Sequence, residues 1–324
     1  MERNISAPRK SAAGHRIAFT RSVPDRYGLT RKRSNGKIES YHTMLSATVV
    51  APGHAKVVPL MPEFIAPQDG AEKQDCERNA VKRWFGKHGE RLAPLRPVYL
   101  GDDLFACQPI ASMVKDGGGD FIFTCKESSH KALYDFIQGV EFERHEQKIR
   151  KGKTTETLRY RWIEGVPLRD GKDAMPVNWI GFEILDAKGR VKYSMAWVTS
   201  LPVSKHTVAE IVACGRARWK IENESFNVLK NHGYELEHNF GHGETFLAMT
   251  LAALNLMAFA WHTALDLVEP PWQAAREAAA KRTSFFAHLL MLTAYVVFPS
   301  WQVFLESLAT FTIPPDLVKN RDSP

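Results

Sequence analysis

Apolar and polar positions alternate legibly from Ile38 onward, and the period changes from segment to segment. YHTMLSATVVA (41–51) and KVVPLM (56–61) are runs of β-branched, aromatic and aliphatic residues separated by the turn PGH, which predicts a β-hairpin. AEKQDCERNAVKRWFGKHG (71–89) places Cys76, Ala80, Val81, Trp84 and Phe85 on one side, as an amphipathic helix does, and Gly89 stands near its end. PVYLG (97–101) predicts a short strand that runs out into Asp102 and Asp103. A helix near 108–116, a glycine turn at 117–119, the strand DFIFTC (120–125) and a helix capped around Ser128 and Ser129 follow. Between residues 140 and 201 the texture becomes charged and β-prone (TLRYRWIEG, NWIGFEIL, YSMAWVTSL), as expected of a separate inserted sheet with Trp162 and Trp179 in its core. Beyond it Val208, Ile211, Val212, Trp219, Phe226 and Leu229 recur at helical spacing, and Glu222 falls on that apolar line.

Two long uncharged runs, residues 245–265 and 283–305, change the picture at the C-terminus, since each has the length of a membrane span. The first carries Asn255 and His262, and the second His288, Pro299 and Gln302. Buried helices of a soluble layer are therefore expected, and a protein with two C-terminal spans is the distant alternative. The 324 residues are 44% hydrophobic and 24% charged, which suits an ordinary globular chain. Four scattered cysteines in no CxxC spacing suggest neither a disulfide framework nor a zinc site, and no continuous apolar leader is present, so a cytoplasmic location is expected. The net charge of +7 resides in residues 1–40, with ten Lys/Arg against three Asp/Glu, while the remaining chain is balanced. The basic excess is thus an N-terminal arm and weak evidence that the body binds nucleic acid.

The candidate chemistry lies in the carboxylates. A strand ending in Asp102 and a helix offering Glu222 are how a mixed α/β sheet builds a divalent-metal site, because hard cations take oxygen ligands and two of them can clamp an in-line phosphoryl displacement. Each residue also has a plainer role open to it: Asp102 as a turn or helix-capping residue, and Glu222 as the partner of Arg218 four residues earlier. NHGYELEHNFGHG (231–243) is a structured loop by its glycines, with His238 and His242 as candidate DNA contacts.

GDDLFACQ (101–108) and GRARWKIENESFNVLKN (215–231) resemble segments of the DDE transposases of bacterial insertion sequences, in the branch with a Tyr, Arg, Glu, Lys signature around its last acid and a β insertion before it. The resemblance covers about residues 30–320. It implies a ribonuclease H-like mixed sheet with a β-rich insertion and a C-terminal helical layer. It also implies Mg²⁺, two ions with Mn²⁺ able to substitute, and cutting and joining of element-end DNA, with Asp102 and Glu222 as catalytic metal ligands and Asp103 as the fallback. Arg218 and Lys230 would contact DNA. The implied partners are double-stranded DNA at transposon ends, target DNA and a second copy in the DNA complex, with no membrane, in the bacterial cytoplasm. Two positions depart from the signature: Gly215 stands in place of the tyrosine, and Lys230 lies one position late.

The implied division is a basic arm at 1–36, core at 37–139, insertion at 140–201, the helix of the last acid at 202–245, and C-terminal helices at 246–324. A third acid should lie on a strand before residue 41. The strand-like run there, RIAFT (16–20), has none, and Asp25 in a turn-like context is the remaining candidate. A truncated or frameshifted 5′ end is the expected cause. The expected function is a transposase with impaired cleavage, and its alternative is a non-catalytic DNA-binding remnant.

Overall fold

A computed structural model of the chain describes residues 9–18, 29–32, 36, 38–65, 76–152, 154–238 and 246–317, and up to residue 41 its backbone alone. The protein is mixed α/β. Its strands are β1 (Arg9–Ala18), β2 (Leu29–Lys32), β3 (Ile38–Val50), β4 (Val58–Ile65), β5 (Val98–Gly101), β6 (Asp120–Thr124), β7 (Glu143–Lys151), β8 (Thr154–Pro167), β9 (Pro176–Leu185) and β10 (Val191–Thr199). They form one sheet of order β2-β3-β1-β5-β6-β10-β9-β8-β7, with β4 also pairing β3. β1 runs antiparallel to β3 and parallel to β5, and β5 runs parallel to β6. The segment expected as a basic arm therefore contains two strands, one of them central.

The β insertion does not make a sheet of its own. β10 pairs antiparallel with β6, Trp197 opposite Thr124, so the four inserted strands extend the main sheet. The reason is that β6 would otherwise leave an edge of unpaired backbone groups on an apolar strand.

Helices cover both faces. β5 is apolar throughout, as a strand buried on both sides must be: Val98 and Leu100 face one cluster and Tyr99 the other. On the Tyr99 face lie α1 (Glu77–Leu92), α2 (Gln108–Asp116) and α3 (Lys131–Ile137), through Trp84, Ile110, Val114 and Leu133. α3 begins after His130 rather than with a serine cap; Ser129 bonds elsewhere. On the Leu100 face lie α4 (Val208–Arg216), a 3-10 turn (Ala217–Trp219), a π-helical segment (Ile221–Phe226) and α5 (Asn227–Asn231). α6 (Leu247–Val268) completes that layer through Ala248, Ala252, Leu256 and Phe259. Trp162 and Trp179 are buried, as expected, on opposite faces.

The C-terminal runs are only partly buried. α6 exposes Leu254, Met257, Trp261 (65%) and Val268 (75%), because one side of it meets the sheet and no described element covers the other. By length and composition alone α6 could cross a membrane; the second run forms no single helix of that length, because it breaks around Pro299 into α8 (Arg282–Tyr295) and α9 (Trp301–Thr310). These pack with α7 (Pro270–Ala278) around Trp272, Phe285 and Leu305.

A polar chain joins this cluster to the core. Arg282 Nη1 donates to Tyr234 Oη (3.2 Å), which leaves the phenol hydrogen for His262 Nδ1 at 2.8 Å. The imidazole must therefore be neutral at Nδ1. Burial, then the nearby Arg282 and Arg276, lower its pKa to about 4 against the opposing pull of Asp266. The unfolded chain binds this proton more readily, so the stabilisation is complete above about pH 6.5 and is lost as the pH falls toward 4, by about 2–3 kcal/mol. Thermal melts at pH 7 and pH 4.5 should show a drop that His262→Gln diminishes; an unchanged drop in that variant would place the acid sensitivity in other groups.

Candidate active site

Asp102 leaves the end of β5 through a tight turn. A Cβ at Gly101 would stand 2.8 Å from the Phe123 ring and 3.0 Å from Phe105 Cβ, so only glycine lets the turn close over Phe105. Asp102 Oδ1 accepts the Leu104 N–H (3.0 Å), an Asx-type bond that fixes the carboxylate at the strand end. Asp102 lies beyond the strand end and, together with Asp103, lines a cavity on the α2 and α3 side.

Asp103 bonds to the turn that leads into α3. Its Oδ1 accepts the Lys126 N–H (2.7 Å), its Oδ2 accepts Ser129 Oγ–H (2.5 Å), and His130 Nδ1 lies 3.3 Å from Oδ1. His130 Nε2 lies 2.6 Å from the Ala106 carbonyl and must donate to it. This Asp, Ser and His group is not a nucleophile relay, since carboxylate and hydroxyl both approach Nδ1 while Nε2 is spent on backbone. It ties the turn after β5 to the turn after β6. Sequence spacing gave no sign of it, because the partners are more than 20 residues apart.

Glu222 does not lie on the inward row. Trp219 and Glu222 are exposed, and the buried row runs Ala217, Lys220, Ile221, Ser225, Phe226 and Leu229. The 3-10 turn at Ala217–Trp219 and the wider π turn at Ile221–Phe226 both depart from the 3.6-residue period that placed Trp219 and Glu222 inward. Glu222 sits at the rim of the packed face, where Arg218 Nη1 meets its Oε1 at 3.0 Å. The segment packs against β1. It is held by Lys220, only 8% exposed, whose ammonium donates to the Ala51 carbonyl (2.8 Å) and to the His54 carbonyl in the β3–β4 turn. Burial lowers the Lys220 pKa, with Glu224 opposing. That buried lysine was not singled out by sequence, since its partners lie more than 160 residues away.

The register of the central strands locates the missing acid. Ser11 is paired with Leu100 on one side and Thr48 on the other, and Ala13 is paired with Ser46. The β1–β5 ladder ends at that pair, and its parallel register continued by two residues would bring position 13 level with Asp102. Ser46 and Thr48 are buried on the Met44 and Leu100 face, with hydroxyls that have no partner among the described residues. Position 13 is thus opposite Ser46 on the strand against which the Glu222 segment packs, and β1 (RKSAAGHRIA) supplies no carboxylate there. Among the described residues no group of three His, Cys, Asp or Glu could hold a metal ion. The implied pair of Mg²⁺ ions therefore does not fit the described donor set. Asp25 lies outside the described residues.

A cavity of about 680 Å³ opens at the ends of β5 and β6, lined by Asp102, Asp103, Arg78, Lys126, Lys131 and Arg169. The ammonium groups of Lys126 and Lys131 meet no carboxylate among the described residues. Of the remaining candidates, Lys230 pairs with Glu237 (2.6 Å), His238 is exposed in the following loop, and His242 lies outside the described residues. Gly215 has a structural cause: a Cβ there would meet Trp197 Nε1 at 2.8 Å and Ile122 Cγ2 at 3.1 Å, so the indole occupies the place a larger side chain needs.

Compared with known proteins, the chain matches no family model and no curated relative.

Proposed function

We propose that this chain is an insertion-sequence transposase of the DDE type, on a ribonuclease H-like core, whose DNA-binding surfaces persist while its acid set is one short. The observation that carries the reading is the strand order β4-β3-β1-β5-β6, with the first strand central, β5 and β6 parallel to it, Asp102 at the end of β5 and the Glu222 segment packed over β1. An open α/β sheet binds ligands at the carboxyl ends of its strands, which is where Asp102 stands. Arg218 holds Glu222 in place and presents cationic charge at the same rim. Element-end duplex and target DNA are the partners, with a second copy in the DNA complex, and the bacterial cytoplasm is the compartment.

Cleavage and strand transfer at element ends need an anionic clamp that Asp102 and Glu222 do not complete alone. The reading therefore favours DNA binding with inefficient cutting. The assay is electrophoretic mobility shift and Mg²⁺-dependent nicking on duplexes carrying the element's own ends. Binding with near-background nicking is expected, insensitive to Asp25→Ala. Robust nicking abolished by Asp25→Ala would identify Asp25 as the third acid, and no binding to any duplex would end the transposase reading.

A further inference from the structure

The β7–β8 hairpin sorts its charges by face. Directly opposed residues of an antiparallel pair share a face, so Arg144, Glu146, Lys148 and Arg150 of β7 stand with Arg161, Arg159, Thr157 and Thr155 of β8. The reverse face carries His145 stacked on Tyr160 (5.8 Å), with Leu158 packed on the Leu100-side cluster. On the charged face the acids are already used: Arg159 pairs with Glu146 (2.8 Å) and with Glu183 of β9 (3.3 Å). Arg144, Lys148 and Arg150 are exposed and meet no carboxylate among the described residues; Arg150 Nε donates only to the Gly152 carbonyl.

The plainer reading is edge protection, since β7 ends the sheet and charged side chains deter further pairing. That need is met by either sign on either face. It does not account for three unneutralised cations on one face, spaced along a strand segment of roughly 20 Å. Arg161 places this face: its guanidinium lies 5.4 Å from the rings of Phe142 and Trp179, and Trp179 packs on Tyr134 of α3. The ribbon is therefore on the same side of the sheet as α3, the side on which Lys126 and Lys131 line the cavity beside Asp102.

We infer that Arg144, Lys148 and Arg150 form a sequence-independent phosphate ribbon that grips duplex DNA flanking the strand presented at Asp102. The inference rests on the transposase reading and names the surface that holds its substrate. Guanidinium and ammonium groups at strand spacing neutralise successive phosphates without touching bases, so the contribution is counterion release and depends on salt.

The test uses the full chain and a fluorescein-labelled 30-base-pair duplex of arbitrary sequence, by anisotropy between 50 and 200 mM NaCl. The variant is Arg144→Gln/Lys148→Gln/Arg150→Gln, with Lys82→Gln/Lys205→Gln, two exposed lysines away from the hairpin, as a surface control. The ribbon variant should reduce the slope of log affinity against log salt by about 2.7, one phosphate per cation, with unchanged circular dichroism and an unaffected control. A ribbon variant with the parental slope, where the parent binds duplex, overturns the ribbon and leaves the transposase reading intact. A parent that does not bind duplex overturns both.

Discussion

A Gly215→Tyr variant is expected to lose its folded state, although it installs the tyrosine of the signature that this chain resembles. Trp197 is 1% exposed and its indole stands where the Cβ of any residue 215 would be, at 2.8 Å, with Ile122 behind it. Both neighbours belong to strands in the middle of the sheet, β10 and β6, and neither can retreat without opening the cluster that also holds Leu100 and Ile221. Overpacking of this kind costs more than the 1–3 kcal/mol of an added methylene, on the order of 5 kcal/mol, which is comparable to the stability of a typical domain. Urea denaturation followed by tryptophan fluorescence measures it. Gly215→Ala should be destabilised by about 1–3 kcal/mol. Trp197→Ala combined with Gly215→Tyr should recover part of the loss, because the new ring can then fill the space left by the indole. A stable Gly215→Tyr protein with native spectra would mean that α4 approaches β10 less closely than it does here.

The second large effect is expected at position 13. Ala13→Asp introduces a carboxylate on β1 opposite Ser46, on the strand against which the Glu222 segment packs and two residues beyond the pairing of Ser11 with Leu100. Ser46 Oγ, buried without a partner among the described residues, is a donor for it. Three carboxylates of this kind favour a divalent cation over protonation or mutual repulsion. The variant should bind Mn²⁺ in calorimetric titration where the parent does not, gain thermal stability on addition of Mg²⁺, and, on the transposase function proposed above, raise nicking of element-end DNA by roughly 10²–10³-fold, the scale on which a preorganised electrostatic group acts. Adding Asp102→Asn should abolish all three gains. Weaker folding of Ala13→Asp without metal, reversed by Mn²⁺, is also consistent, since an unpaired buried carboxylate is costly. An Ala13→Asp protein indifferent to Mn²⁺ in both titration and melting would remove position 13 from the site.

Much of the fold was determined by the sequence alone, and the reason is local. β5 and β6 are short runs of apolar residues that can be satisfied only between two covered faces, so their ends, and Asp102 after Gly101, were legible. The hairpin of β3 and β4, and α1 and α2, followed from alternation and helical spacing in the same way. Tertiary structure decided the rest. The strands of residues 143–199 are amphipathic enough to form a sheet by themselves, and only the open edge of β6 decided that they join the main one. The exposure of α6 depended on which of its sides found a neighbour, which composition does not encode. Glu222 was displaced from the buried row by a change from 3-10 to π winding between Ala217 and Phe226, in a segment held by packing on β1 and by Lys220 reaching the β3–β4 turn. The absence of an acid from residues 9–18 was visible in the letters; that Ala13 is the residue opposite Ser46 required strand register, because a one-residue slip would have turned that position to the opposite face.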